Sequence, residues 1–275
     1  MRALGWRRYF GTWWLTGVFA FFYLPLFFLI VFSFNSTRQD SVFTGFSLRW
    51  YQALWNDTRL VEGFMLSLNV ALMSATLATI LATLAAFALI RFGRFTGRTL
   101  FNAMLSSPLV MPEVIIGLSL LLLFVGMERL LGWPERGAFT IILGHALLGM
   151  AYASVVVQSR LKEMDRSIEE AALDLGCRPY QVFFLVTLPN ISQALVAAWL
   201  LTFTLSFDDV VVSEFLSGPG VTTLPQVIFS YARRGVNPSI YAAATLLMLV
   251  VSLAVVVYGV HTARQMRQAQ TRISD

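Results

Sequence analysis

Residues 170–189 read EAALDLGCRPYQVFFLVTLP. Glu-Ala-Ala is followed by three residues, Gly176, nine more residues, and then Val186-x-Leu188-Pro189. Ser167-x-x-Glu170 just upstream reads as a capping box, in which hydroxyl and carboxylate satisfy the free N–H groups of a helix start. Glu169 and Glu170 suit the positive end of that helix. Ile168, Ala171, Ala172 and Leu175 follow i, i+3, i+4, i+7 spacing and so share one apolar face. Gly176 is placed for the left-handed residue that ends a helix. Pro179 suits the first turn of a second short helix, which should stop before Pro189 because the residue preceding a proline avoids the α region. The expectation is a helix–turn–helix on a membrane surface, with Ala171 and Ala172 small enough to let another protein approach. An ordinary amphipathic interfacial linker would share the capped helix but not the full twenty-residue spacing.

The stretch lies between long apolar segments. Hydrophobic residues make up 57% of the 275 and charged residues 13%, with a mean hydropathy of +0.70. A soluble domain carries about a quarter charged residues. Six nearly uncharged runs exceed the roughly 20 residues that a membrane-spanning helix needs. They lie near 12–34, 64–90, 101–126, 138–159, 190–212 and 240–262, with a polar loop at 160–189. The first run follows Arg2, Arg7 and Arg8 but is too long for a cleaved signal segment, so it reads as a retained helix. Segments 1–11, 91–100, 160–189 and 263–275 carry 13 Lys or Arg, against 7 in the segments between them on the other side. That bias predicts both termini and the 160–189 loop in the cytosol. The basic residues sit at helix ends and form no stripe, so the sequence pI near 9.7 calls for no nucleic-acid partner.

Absences narrow the chemistry. There is no G-x-x-x-x-G-K-[ST] loop and Lys162 is the only lysine, so ATP is not hydrolysed here. Neither H-E-x-x-H nor G-x-S-x-G occurs, and no metal set is expected. Cys177 is the single cysteine, which rules out a disulfide within the chain. His145 and His261 lack nearby Cys or acidic partners in sequence and read as packing or interface residues. Trp50, Tyr51 and Trp55 read as membrane-interface anchors. Small residues recur at fours through the second run (Gly63, Ser67, Ala71, Ala75, Thr79, Thr83), beside Ala78, Ala82 and Ala86. Such rows let helices approach closely in lipid. Pro108 and Pro112 predict a kink or break in the third run, with freed carbonyls facing protein or water.

The 170–189 stretch resembles the EAA loop of the membrane-spanning subunits of bacterial ABC importers, with Val186 where Ile is usual. The resemblance continues through PLVMPEVIIGLSLLLLF (108–124), RSIEEAALDLG (166–176), FTLSFDDVVVSEFLSGPG (203–220) and TLPQVIFSYARRGVNPSIYAAAT (223–245). Together these look like the spermidine/putrescine permeases. The resemblance implies an all-α, six-helix type I importer permease with a MetI-like core, in the bacterial inner membrane. It implies a second permease subunit, two copies of a cytosolic ATPase that binds ATP and Mg, and a periplasmic polyamine-binding protein. It also implies that the loop docks into the ATPase, through Ser167, Glu169, Glu170, Ala171, Ala172, Asp174, Gly176 and Pro189.

A polyamine path calls for separated carboxylates with aromatic surfaces between them. Glu113 lies twelve residues into the run 101–126, or about 18 Å at the helical rise. Asp208 and Asp209 come near the far end of the fifth run, and Glu214 follows. Ionisable residues inside a membrane are costly and usually face a cavity or a partner. Trp199, Phe203 and Phe207 make one stripe towards these acids, able to hold ammonium groups by cation–π attraction or to serve as packing surface. Two other classes remain in view: a permease of the same architecture for another solute, and an ATP-independent channel or carrier. No inverted repeat supports a carrier.

Overall fold

The computed structural model describes residues 3–37, 42–233, 238–249, 252–253 and 256. Helices dominate, in the order α1 (Ala3–Phe32), α2 (Arg49–Asn56), α3 (Thr58–Arg91), α4 (Arg98–Ser106), α5 (Glu113–Leu131), α6 (Ala138–Glu163) and α7 (Ser167–Asp174). They continue with α8 (Pro179–Val182), α9 (Leu188–Asn190), α10 (Ser192–Phe207), α11 (Val211–Leu216) and α12 (Leu224–Arg233), then α13 (Pro238–Leu249). Among the described residues, four helices are long and apolar enough to cross a membrane. They are Phe10–Phe32, Thr58–Arg91, Glu113–Leu131 and Ala138–Glu163. Pro179–Asn190 and Ser192–Phe207 together make a fifth candidate, bent by 71°. The expected run 240–262 begins within α13 and continues largely outside the described residues, as does His261.

The chain divides into two compact units, Met1–Val61 with Ile228–Asp275, and Glu62–Val227. In the first, Trp50 is 7% exposed and its indole N–H donates to the Asn35 carbonyl at 2.6 Å. This corrects the reading of Trp50 as an interface anchor: its polar edge is spent inside the fold. Trp55 is 84% exposed and keeps that role open.

The second unit is built on the small-residue rows. Ala78, Ala82 and Ala86 of α3 are fully buried, and Ala82 and Ala86 cluster with Ala153, Val157 and Leu161 of α6 and with Ala198 of α10. A Cβ on Gly149 of α6 would lie 3.0 Å from Ala78 Cβ and 3.2 Å from Thr202 Cγ2. Backbones this close gain dispersion contacts that a lipid environment does not supply by solvent exclusion. A second cluster joins Val70, Phe124, Ile141, Val212 and Leu216, wedging α11 between α5 and α6.

Two breaks shape this unit. The run expected as one span over 101–126 is α4, a 3₁₀ turn (Ser107–Leu109) and α5. Pro108 sits in the turn and Pro112 is the residue before α5. Glu113 therefore opens a helix and is not buried twelve residues inside one. The second break follows Pro189. The helical course runs through Pro189 to Asn190 by way of a π segment, Phe183–Thr187. The expected stop before Pro189 is thus displaced to Ile191. The π turn shifts the hydrogen-bond register, with Leu188 N–H donating to Phe183 O, so a residue without an N–H fits at the following position.

Candidate functional site

A cavity of about 370 Å³ opens in the second unit. Glu113 of α5, Tyr152 and His145 of α6, and Asp208 and Asp209 after α10 supply its polar wall, while Leu148, Leu205 and Val211 supply an apolar one. The α10 helix ends at Phe207 and α11 starts at Val211, so the two aspartates occupy the short joint between them.

The acids are not equivalent. Asp209 Oδ2 lies 3.0 Å from His145 Nε2 and accepts from the Ser213 N–H at 2.7 Å. Its Oδ1 accepts from the Val212 N–H at 3.3 Å. Asp209 thereby satisfies the free N–H groups at the start of α11. His145 Nδ1 pairs with Ser206 Oγ at 2.7 Å, and Ser74 Oγ donates to Ser206 Oγ at 2.9 Å. The His145 and Asp209 side chains are 2% and 9% exposed. The result is a polar relay, Ser74–Ser206–His145–Asp209, connecting α3, α10, α6 and α11. Asp208 and Glu113 are exposed to the cavity side. Among the described residues neither carboxylate has an ion-pair partner.

Trp199, Phe203 and Phe207 form a continuous stack, with ring centroids 5.3 and 5.8 Å apart. The stack runs along α3, where Trp199 Nε1 donates to Thr76 Oγ1 at 3.1 Å and Phe207 meets Phe64 edge-on. None of the three rings lines the cavity. Glu214 is exposed on α11, and its carboxylate accepts from Gln226 Nε2 at 3.0 Å; it too lies outside the cavity wall.

The 160–189 loop is a helix–turn–helix. Gly176 has φ +87°, its N–H donates to Leu173 O, and the Cys177 N–H donates to Ala172 O, the paired bonds of a Schellman ending. The capping box is not formed. Ser167 is the first helical residue, and the Asp165 carboxylate accepts from its N–H at 3.0 Å. An acid two residues upstream thus takes one of the N–H groups that Ser167 and Glu170 were expected to help satisfy. Those bonds hold the Asp165 carboxyl below the usual carboxylate range. Ser167, Glu170, Ala171, Asp174 and Pro189 are exposed, whereas Glu169 and Ala172 are half-buried.

Sequence reasoning missed His145 as an acid's partner, together with Ser74, Ser206 and Tyr152. The one signal was a histidine inside an apolar run; its partners lie 61 and 64 residues away, where no spacing rule reaches.

Residues 78–268 match the family of binding-protein-dependent transport system inner membrane components. The chain belongs to this family. The putrescine transport system permease protein PotI of Escherichia coli K12 is 53% identical to this permease over 231 residues, covering 84% of this chain and 82% of PotI. The spermidine/putrescine permease PotC of the same organism is 38% identical over 257 residues, covering 94% and 95%. A subunit of a bacterial ABC transporter importing the polysaccharide alginate shares the fold, with TM-score 0.70 at 17% identity over 93% of this chain and 96% of that one. The MetNI methionine transporter gives 0.60 at 18% identity, over 74% and 94%. The permease is thus a multi-pass, all-α membrane transport subunit of type I ABC importer fold, not an enzyme.

Proposed function

We propose that this permease is one of two membrane-spanning subunits of an ATP-driven importer that carries polyamines, putrescine foremost, from periplasm to cytoplasm. The 53% identity to a putrescine permease over most of both chains carries this reading. The cavity supports it chemically. Glu113 and Asp208 offer two carboxylates without ion-pair partners among the described residues, and the apolar wall suits the methylene spacer of a diamine. Asp209 holds the α10–α11 joint in shape and so aims its neighbour Asp208. A second permease subunit closes the open side of the cavity, and a periplasmic binding protein delivers the cargo to it. Two copies of a cytosolic ATPase bind ATP and Mg and dock on α7, with both termini of this chain in the cytosol.

The test is uptake of radiolabelled putrescine by cells lacking their own polyamine importers and expressing the full set of subunits. Saturable uptake that is blocked by excess putrescine and abolished by an inactive ATPase is expected. Transport of some other solute, with no uptake of putrescine or spermidine, overturns the assignment.

A further inference from the structure

Glu169 and Glu170 are neighbours with different surroundings. Glu170 is exposed. Glu169 Oε2 lies 2.8 Å from Arg91 Nε at the C-terminus of α3, and the two side chains are 13% and 8% exposed. Its other oxygen accepts from Thr187 Oγ1 at 2.7 Å. Thr187 is fully buried and sits in the π segment that leads towards α10. One carboxylate therefore ties together α7, α3 and the entrance to α10. Arg166 adds a second tie, Nη2 donating to the Ile90 carbonyl at 2.7 Å. Among the described residues neither the buried Nε nor the buried Nη2 of Arg91 makes a hydrogen bond, so the contact with Glu169 is an ion pair that compensates the guanidinium charge.

The two helices held at this point meet again at the cavity. Ser74 of α3 bonds Ser206 of α10, and Thr76 accepts from Trp199. Ser74 lies about 25 Å along α3 from Arg91 at the helical rise. A displacement of α7 thus has two routes, α3 and α10, that converge on the Ser74–Ser206–His145–Asp209 relay. Packed apolar helices slide past one another by shear. A close ion pair away from water, strengthened by the low local dielectric, resists that sliding.

We propose that Glu169 is the positioning residue through which the coupling loop moves the substrate path. The ATPase meets the exposed face of α7, including Glu170. Glu169 transmits the motion inward, to α3 through Arg91 and to α10 through Thr187. This deepens the reading of α7 as an ATPase-docking helix and rests on it.

The complete transporter, reconstituted in proteoliposomes with its binding protein, is assayed for putrescine uptake per ATP hydrolysed. Glu169→Gln and Arg91→Gln should each lower that ratio at least ten-fold while the ATPase still co-purifies. The reversed pair Arg91→Glu/Glu169→Arg should return to within about three-fold of the unaltered protein. Thr187→Val, which leaves both charges in place, should lower the ratio two- to five-fold. An unaltered ratio in Glu169→Gln and Arg91→Gln overturns the proposal, as does a loss that the reversed pair fails to repair. Should the single charge variants not fold, Thr187→Val decides, and an unaltered ratio there overturns it. Failure of the unaltered permease to co-purify with an ATPase removes the docking reading itself, and is seen before any variant is compared.

Discussion

The 160–189 loop and the acidic cavity are both polar, yet they are held in different ways. The turns of the loop close on bonds between near neighbours, Asp165 to Ser167, Gly176 to Leu173 and Cys177 to Ala172, while Glu169 and Arg166 reach from it to α3. The cavity is held by bonds across long stretches of chain, from His145 to Ser206 and Asp209 and from Ser74 to Ser206. Damage to those turns should therefore stay local and spare the fold. Damage to the relay should reach the bundle itself, because it leaves polar groups stranded between helices.

His145→Leu tests that contrast most severely. It removes the imidazole from Asp209 and from Ser206, leaving Asp209 with the N–H groups of Val212 and Ser213, a loss of about 1–3 kcal/mol for a buried polar group stripped of a partner. Thermal unfolding of the purified complex in detergent should show a clear drop in midpoint, and subunit yield should fall. Unchanged stability would mean that the relay does not hold the bundle.

Glu113→Gln and Asp208→Asn come next. Both acids line the cavity without ion-pair partners among the described residues, so each amide should slow putrescine uptake about ten-fold, equivalent to about 1.4 kcal/mol, with subunit yield intact. Asp209→Asn should behave differently, losing stability along with uptake, since its oxygens accept from His145 and the start of α11. Equal behaviour of all three amides, in uptake and yield alike, would erase the distinction between path acids and a holding acid.

Gly176→Val is a smaller and purely local change. A β-branched residue at φ +87° costs about 1–2 kcal/mol. Membrane insertion and thermal midpoint should hold while ATPase co-purification weakens. A lowered midpoint would show that the Gly176 turn, and not only the Glu169 and Arg166 ties, supports the bundle.

Asp165→Asn should do least, because an amide oxygen can still accept from the Ser167 N–H. The carboxylate has a lowered pKa, so its support for α7 is present at neutral pH and is lost only as pH falls below the ordinary carboxylate range. Coupling in the Asp165→Asn variant should stay within two-fold of the unaltered protein at pH 7, and a larger loss measured as uptake per ATP would break this expectation.

The same contrast explains what the amino-acid order revealed. Gly176, Pro179 and the row of alanines in α3 act through backbone geometry and closest approach, which depend on residues a few places away. They could be read directly, and Ala78, Ala82 and Ala86 are indeed buried. Ser167 was misread because Asp165, an equally competent acceptor, lies two residues earlier. Pro189 was misread because the π segment before it changes the hydrogen-bond register. Asp208 and Asp209 looked alike in sequence, and only the approach of α6 and the start of α11 separates them. His145 gained its role from partners that no local pattern connects to it.

The central claim is that this permease couples a cytosolic ATPase to polyamine entry. Its most direct test is the ATPase rate of the reconstituted complex with binding protein, in the presence and absence of putrescine. The account predicts that putrescine-loaded binding protein raises the rate and that labelled putrescine accumulates inside the vesicles in step with it. An ATPase rate indifferent to putrescine and spermidine, with neither amine entering the vesicles, would contradict it.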